Sequence, residues 1–281
     1  MSRMRKNNTL AKWIANSAFI LIAFIALFPL LSLIISSFRP SSELMRNGIS
    51  FSINWSELSL RNYIHIFTDS PSYWQWYGNS LIISTLTIVL SLFFSSMVGY
   101  ALAVYKFRGR NLLFLFVLVI IMIPFEILML PLYQLMINLN VINTYTGVML
   151  PLIVAPIAVF FFRQYAMGLP TELMDSARID GCTEYGIFFR IMAPLMLPSF
   201  SAMAILQGLN SWNNFLWPLL VIRSNDLFTL PIGLATLLTP YGNNYDTLIA
   251  GSVMTIIPII ILFIFFQRYF VAGLASGSVK G

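Results

Sequence analysis

Six apolar runs, each near the length that crosses a bilayer, constrain this chain more than any other feature. They cover about Trp13–Ser36, Leu81–Val104, Leu112–Leu135, Thr146–Phe162, Leu197–Ile222 and Leu248–Tyr269. A hydrocarbon core of about 30 Å takes roughly 20 helical residues. Inside it every backbone N–H and C=O must be paired within the protein, which a helix does within itself. Only 9% of the residues are charged, against about 25% in a soluble domain, so a water-facing surface cannot be built from this chain. The expected fold is an all-α polytopic membrane protein with six transmembrane helices, residues 1–281 forming a single transmembrane domain.

The net charge of +6 does not point to nucleic acid, because the basic residues flank apolar runs rather than gathering on one polar face. That placement controls topology. With the N-terminus inside, 12 of the 16 Lys and Arg residues fall in cytoplasmic segments and 4 outside; the excess marks the cytoplasmic side, which places both termini there. The basic start from Arg3 to Lys6 precedes an apolar run, Ile14–Ile35, longer than a signal-peptide core, so it reads as a retained span. Cys182 is the one cysteine and His65 the one histidine, which excludes an intrachain disulfide and the usual Cys/His metal site. Prolines 29, 124, 131, 151, 156, 218 and 258 fall inside the runs. Such kinks are tolerated where neighbouring helices re-pair the freed carbonyls, which argues for a packed bundle.

Three connections are long. Phe38–Asn79 and Arg223–Asp246 are external on this topology; in the first, Trp74 and Trp76 read as an interfacial aromatic belt. The third, residues 163–194, is cytoplasmic. There Pro170 or Thr171 can start a helix and Gly181 can stop it. Thr183 can cap a second helix that ends before Pro194. Small residues at Ser176, Ala177 and Gly181 would let this loop seat in a cleft of another protein.

The loop resembles the "EAA" loop of bacterial ABC import permeases, in which Glu-Ala-Ala is followed by three residues, Gly, nine residues and Ile-x-Leu-Pro. Here Asp175-Ser176-Ala177, Gly181 and Ile191-Met192-Ala193-Pro194 keep that spacing, with Asp, Ser and Ala as departures. Asn210-Ser211-Trp212-Asn213-Asn214-Phe215 and the C-terminal Gln267-Arg268-Tyr269-Phe270 through Gly281 resemble the MalG-type half of carbohydrate importers, as does Asn62-Tyr63. Phe161-Phe162-Arg163-Gln164-Tyr165 and Pro240-Tyr241-Gly242-Asn243-Asn244-Tyr245-Asp246 look like the AraQ-type permeases of arabino-oligosaccharide importers. The resemblance implies a sugar-importing permease subunit in a bacterial plasma membrane. It would pair with a second permease, a cytoplasmic ATPase dimer and an extracellular sugar-binding protein. It further implies that Asp175, Ser176, Ala177, Arg178, Asp180, Gly181, Glu184 and Pro194 couple to the ATPase, and that the tail residues Gly277, Lys280 and Gly281 touch it. No G-x-x-x-x-G-K-[S/T] stretch is present. The chain is therefore expected to be no enzyme and to bind no cofactor, ATP and Mg being handled by the partner.

Within the spans, Glu126 sits between Pro124 and Pro131. An ionisable residue at membrane depth is costly, so it is a candidate for lining or gating a pathway, set against a plain helix–helix contact. Asn210, Trp212, Asn213 and Asn214 offer amides for sugar hydroxyls and a ring for sugar C–H faces. The alternative is amide glue between helices. Two other functions compete. An ion-coupled transporter would carry more ionisable residues in its spans, and an ABC permease for another solute would share the loop but not the tail.

Overall fold

The computed structural model describes residues 2–40, 58–238 and 244–278, with side chains from 12 to 268 within those stretches. In order the helices are α1 (Ser2–Ser37), α2 (Arg61–Thr68), α3 (Pro71–Val104), α4 (Arg110–Met122), α5 (Phe125–Asn138), α6 (Tyr145–Met149), α7 (Pro156–Ala166), α8 (Glu172–Ile179), α9 (Glu184–Ile187), α10 (Ala193–Leu195), α11 (Leu197–Trp212), α12 (Leu216–Val221), α13 (Leu230–Thr236), α14 (Tyr245–Met254) and α15 (Ile256–Ser278). Trp55, residues 240–243, Lys280 and Gly281 lie outside the described residues, and Gly277 is in the last turns of α15. The chain forms two compact units, one of residues 1–71 and 236–255, the other of residues 72–235 and 256–281.

In the first unit the end of α1 is held from α2. Asn62 Nδ2 donates to the carbonyls of Ser37 and Arg39, both at 2.9 Å, and the Tyr63 hydroxyl lies 2.7 Å from Ser37 Oγ. Asn62 thus pairs carbonyls at and just beyond the helix end, and Tyr63 pairs a hydroxyl there. The body of α1 presents bare apolar side chains such as Phe19 and Ile20, as a lipid-facing helix must.

The second unit is organised by α3, 34 residues long. Ser84, Thr87, Ser91, Ser95 and Gly99 form a buried row of small residues along one face. Ser91 Oγ accepts from Gln207 Nε2 of α11 at 2.9 Å, and Ser95 Oγ accepts from the Ala155 N–H just before α7. At Gly99 the α7 backbone comes so close that an added Cβ would meet Val159 O and Phe162 Cβ at 2.7 Å. α3 begins at Pro71, earlier than the expected span from Leu81. Asn79 Nδ2 donates to Asp226 O at 2.8 Å and Phe228 O at 2.9 Å. Trp76 is buried, donates to Asn225 Oδ1 and packs face-on against Gly233. The belt assignment therefore fails for Trp76, which anchors the connection after α12 instead.

Three expected spans are not single helices. Among the described residues, Lys12–Ser37, Pro71–Val104 and Tyr245–Arg268 are continuous and long and apolar enough to cross a membrane. Six are reached only if bent pairs count as one span each. The third expected span, Leu112–Leu135, turns by 107° between α4 and α5. Ile123, before Pro124, is extended (φ −88°, ψ 120°), the conformation that a following proline favours over the α region. The fourth bends by 41°, where Ala155 before Pro156 is extended for the same reason. The fifth stops at Trp212 and resumes at Leu216. Pro218 lies in the first turn of α12, where its missing N–H costs no helical bond.

The close approach at Gly99 predicts that Gly99→Ala lowers the thermal stability of the detergent-solubilised protein by about 1–3 kcal/mol through overpacking. Gly78→Ala, on the same helix with open space around the new methyl, is expected to be neutral or slightly stabilising. Melting curves of the two variants test the difference.

Candidate functional site

The connection after α7 folds into two short helices lying against the end of the second unit. α8 buries Met174 and Ala177, α9 and the turn after it bury Ile187, Phe188 and Met192, and all pack with Tyr100 of α3 and Phe162 of α7. The Tyr100 hydroxyl reaches Met174 Sδ at 3.4 Å.

The end of α8 is closed by glycine. Gly181 has φ +80°; its N–H bonds to Arg178 O at 3.1 Å, and the Cys182 N–H bonds to Ala177 O at 2.9 Å. This is the Schellman pattern, which needs a left-handed residue at that place. Thr183 then caps α9, its Oγ1 accepting from the Gly186 N–H at 3.1 Å. The second helix does not end before Pro194, as the sequence leads one to expect. A widened π-type turn over Phe188–Met192 carries the helical path into α10, which contains Pro194. The extra residue per turn makes room for a ring that would clash in a regular helix.

Arg178 ties the two helices together. Its Nη1 donates to Asp175 Oδ1 at 2.9 Å, its Nε to Glu184 Oε1 at 2.7 Å and its Nη2 to Glu184 Oε2 at 3.2 Å. Glu184 Oε2 also accepts from the Tyr105 hydroxyl at 2.7 Å, which joins the clamp to the segment leaving α3. The bonds from Arg178, then that from Tyr105, hold the Glu184 carboxyl below the usual carboxylate range. Burial, and then the bond to Glu184, push the Tyr105 phenol up, so it stays a donor.

This geometry divides the residues singled out in the sequence. Ala177 faces the protein's own core, and Asp175, Arg178 and Glu184 serve each other. Ser176, Asp180 and Gly181 are exposed on the outer side. The most exposed large apolar side chains of the loop are two that sequence reasoning missed, Ile179 at 87% and Tyr185 at 71%. The signal was present: in a helix whose inner face is set by Met174 and Ala177, position 179 falls off that face.

The pathway candidates also separate. Glu126 is exposed in the first turn of α5, not in mid-helix. There a carboxylate complements the helix dipole. Trp212 is buried and meets Tyr77 edge-on at 5.6 Å. Both line a largely apolar cavity of about 470 Å³ between α3, α11 and α15. Asn213 follows the last residue of α11, and its Nδ2 donates back to Leu209 O at 2.9 Å. Asn210 and Asn214 point instead into a different cavity, of about 330 Å³.

The fold is that of a helical, polytopic membrane protein with two short helices packed at the Tyr100 end of α3. Residues 91–276 match the family described as the binding-protein-dependent transport system inner membrane component, and the chain belongs to that family. It is 73% identical over 277 residues, 99% of each chain, to the arabinooligosaccharides transport system permease protein AraQ of Halalkalibacterium halodurans. It is 59% identical over 263 residues, 94% of each, to the protein of that name from Bacillus subtilis. A crystal structure of a bacterial ABC transporter involved in importing the acidic polysaccharide alginate shares the fold, with TM-score 0.79 at 21% identity, over 92% of this chain and 95% of that one. This is a transport subunit, multi-pass and membrane-embedded.

The clamp has a definite pH dependence. A carboxyl held low in the folded state contributes stability above its unfolded pKa, about 4.3 for Glu. It loses that contribution as pH falls through the lower folded value. A nitroxide on Cys182, the exposed free cysteine of this loop, should therefore show the same mobility at pH 7 and pH 5. Its mobility should rise only below the ordinary carboxylate range, whereas Glu184→Gln should give the mobile spectrum already at pH 7.

Proposed function

We propose that this chain is one of the two permease subunits of an importer for arabino-oligosaccharides in a bacterial plasma membrane. The full-length identity of 73% to a permease named for those sugars carries the substrate reading. The basic-residue split of 12 to 4 supports placing both termini and the 163–194 loop in the cytoplasm. There the loop would seat in a cytoplasmic ATPase, two copies of which supply ATP, Mg and hydrolysis. A second permease completes the pathway, and an extracellular binding protein delivers the sugar.

In this reading the outer side of the loop, with Ser176, Ile179, Asp180, Gly181 and Tyr185, is the docking face. The Asp175–Arg178–Glu184 clamp keeps the two short helices a rigid piece, and Pro194 with its widened turn leads into α11. Motion of the ATPase then reaches the span as displacement of one body, through the packing of Met174, Ile187 and Phe188 against α3 and α7. Gly277, Lys280 and Gly281 at the C-terminus are a second contact with the same partner.

The test is uptake of arabinotriose by a strain deleted for this gene. Wild type should restore ATP-dependent uptake. Gly181→Val should not, at normal membrane abundance, because a branched side chain in the left-handed region strains the cap by about 1–2 kcal/mol and stands on the docking face; within this chain the added Cβ meets nothing within 4 Å. Gly181→Asn, which tolerates that conformation, should keep more activity than Val. Unchanged uptake in the deletion strain, or full uptake with Gly181→Val, contradicts the proposal.

A further inference from the structure

Four basic side chains gather where α3 ends and α4 begins. Lys106, Arg108 and Arg110 line one open groove of about 440 Å³, with Phe107 and Leu112 beside them. Gly109, at φ +89°, turns the chain between the two arginines, a conformation that costs glycine little. Arg110 Nη1 donates to Tyr105 O at 3.3 Å, and Arg163 Nε of α7 donates to Leu102 O at 3.2 Å. Two guanidiniums therefore sit on carbonyls at the end of α3, which a helix cannot pair for itself. The Arg163 guanidinium also lies 3.8 Å above the Phe114 ring of α4, within cation–π reach.

These charges lack a counter-charge. Among the described residues, none of the four pairs with a carboxylate. Glu184 reaches this segment through Tyr105, but its carboxylate is already bound by Arg178. Arg110 and Arg163 lie near enough to repel each other, while Lys106 and Arg108 are exposed. The surroundings are apolar. Phe107, between those two cations, is exposed, and α4 runs on from the groove with no buried residue and with Leu112, Leu113, Leu115 and Phe116 each about half exposed. A basic flank that only set topology needs charge anywhere along it. Here the charges line a single groove with a lipid-type apolar face directly alongside.

We propose that this turn is a binding site for an anionic phospholipid. The phosphodiester lies against Lys106 and Arg108, and the acyl chains run along Phe107, Leu112 and Phe116, the last two one turn apart on the same face of α4. Basic groups at the border of a span attract anionic headgroups, and the apolar face beside them takes the chains. An acidic protein surface would satisfy the cations and leave that face unused. Arg110 and Arg163, held on the carbonyls of α3, add positive potential without leaving their places. The site requires a membrane-embedded chain and holds whatever solute is carried.

Native mass spectrometry of the full chain, purified in non-ionic detergent with its partner subunits, tests the site. The probes are phosphatidylglycerol and phosphatidylcholine with identical acyl chains. Phosphatidylglycerol should bind this subunit more tightly. Each basic group removed near the headgroup weakens binding about fivefold. Lys106→Gln with Arg108→Gln should therefore lose about 25-fold in affinity for phosphatidylglycerol and none for phosphatidylcholine. Lys106→Arg with Arg108→Lys, which keeps both charges, should bind as wild type does. Millimolar inorganic phosphate should not displace the lipid. Equal binding of the two lipids, or wild-type binding by the Gln pair, would overturn the site. So would displacement by inorganic phosphate, which would make the turn a site for free anions. Loss of a partner subunit from the Gln pair with lipid binding unchanged would overturn it as well, because the turn would then be a protein contact. If the Gln pair fails to accumulate, Arg108→Gln alone decides, a fivefold loss supporting the site and no loss overturning it.

Discussion

Between helices in lipid there is no water to expel, so a bundle holds where backbones come close and polar groups pair. In this protein's larger unit that happens along one face of α3. Ser91 meets Gln207 of α11, Ser95 meets the start of α7, and Gly99 lets the α7 backbone approach to within van der Waals contact. The same principle recurs at Gly208, where α11 and Leu262 of α15 touch closely enough that a Cβ would intrude. The loop of α8 and α9 rests on one end of this seam through Tyr100, and the connection after α12 is tied near its other end through Trp76 and Asn79. A helix that contacts both is placed to carry displacement from one to the other.

Prolines set the second constraint. The chain turns or restarts at Pro124, Pro156 and Pro218, whereas Pro29, Pro131 and Pro194 are carried within helical paths. Phe125, Ala155, Pro156 and Asn214, at or beside three of the breaks, line one cavity of about 330 Å³.

Much of this was legible in the sequence. Apolar run length located the helices, since helix dimensions and bilayer thickness leave little freedom. Gly181 and Thr183 announced the ends of two short helices, because a left-handed cap and a hydroxyl N-cap are local requirements, and both were found as expected. What was not legible depends on partners distant in the chain. The burial of Trp76 follows from Gly233, and the split of Asn210 and Asn214 from Trp212 and Asn213 follows from where α11 stops. The sharp turn at Pro124 was hidden because a proline inside an apolar run marks a kink without its angle. Ile179 and Tyr185 were passed over because charge drew attention to Arg178 and Glu184, whose partners turn out to lie within this chain, in the loop and at Tyr105.

The loop accordingly has an inner face committed to this chain and an outer face of exposed apolar side chains flanking a glycine cap, the character of an interface centre. The account stands or falls on what covers that outer face. A photoreactive benzoyl-phenylalanine at position 179, irradiated in inverted membrane vesicles holding the assembled importer, should form an adduct with one subunit. Mass spectrometry should identify that subunit by peptides of an ATP-binding G-x-x-x-x-G-K-[S/T] loop. The same probe at the buried position 187 should give no such adduct. Crosslinking from position 179 only to lipid or to this chain itself would contradict the assignment of the loop as the element that couples transport to ATP hydrolysis.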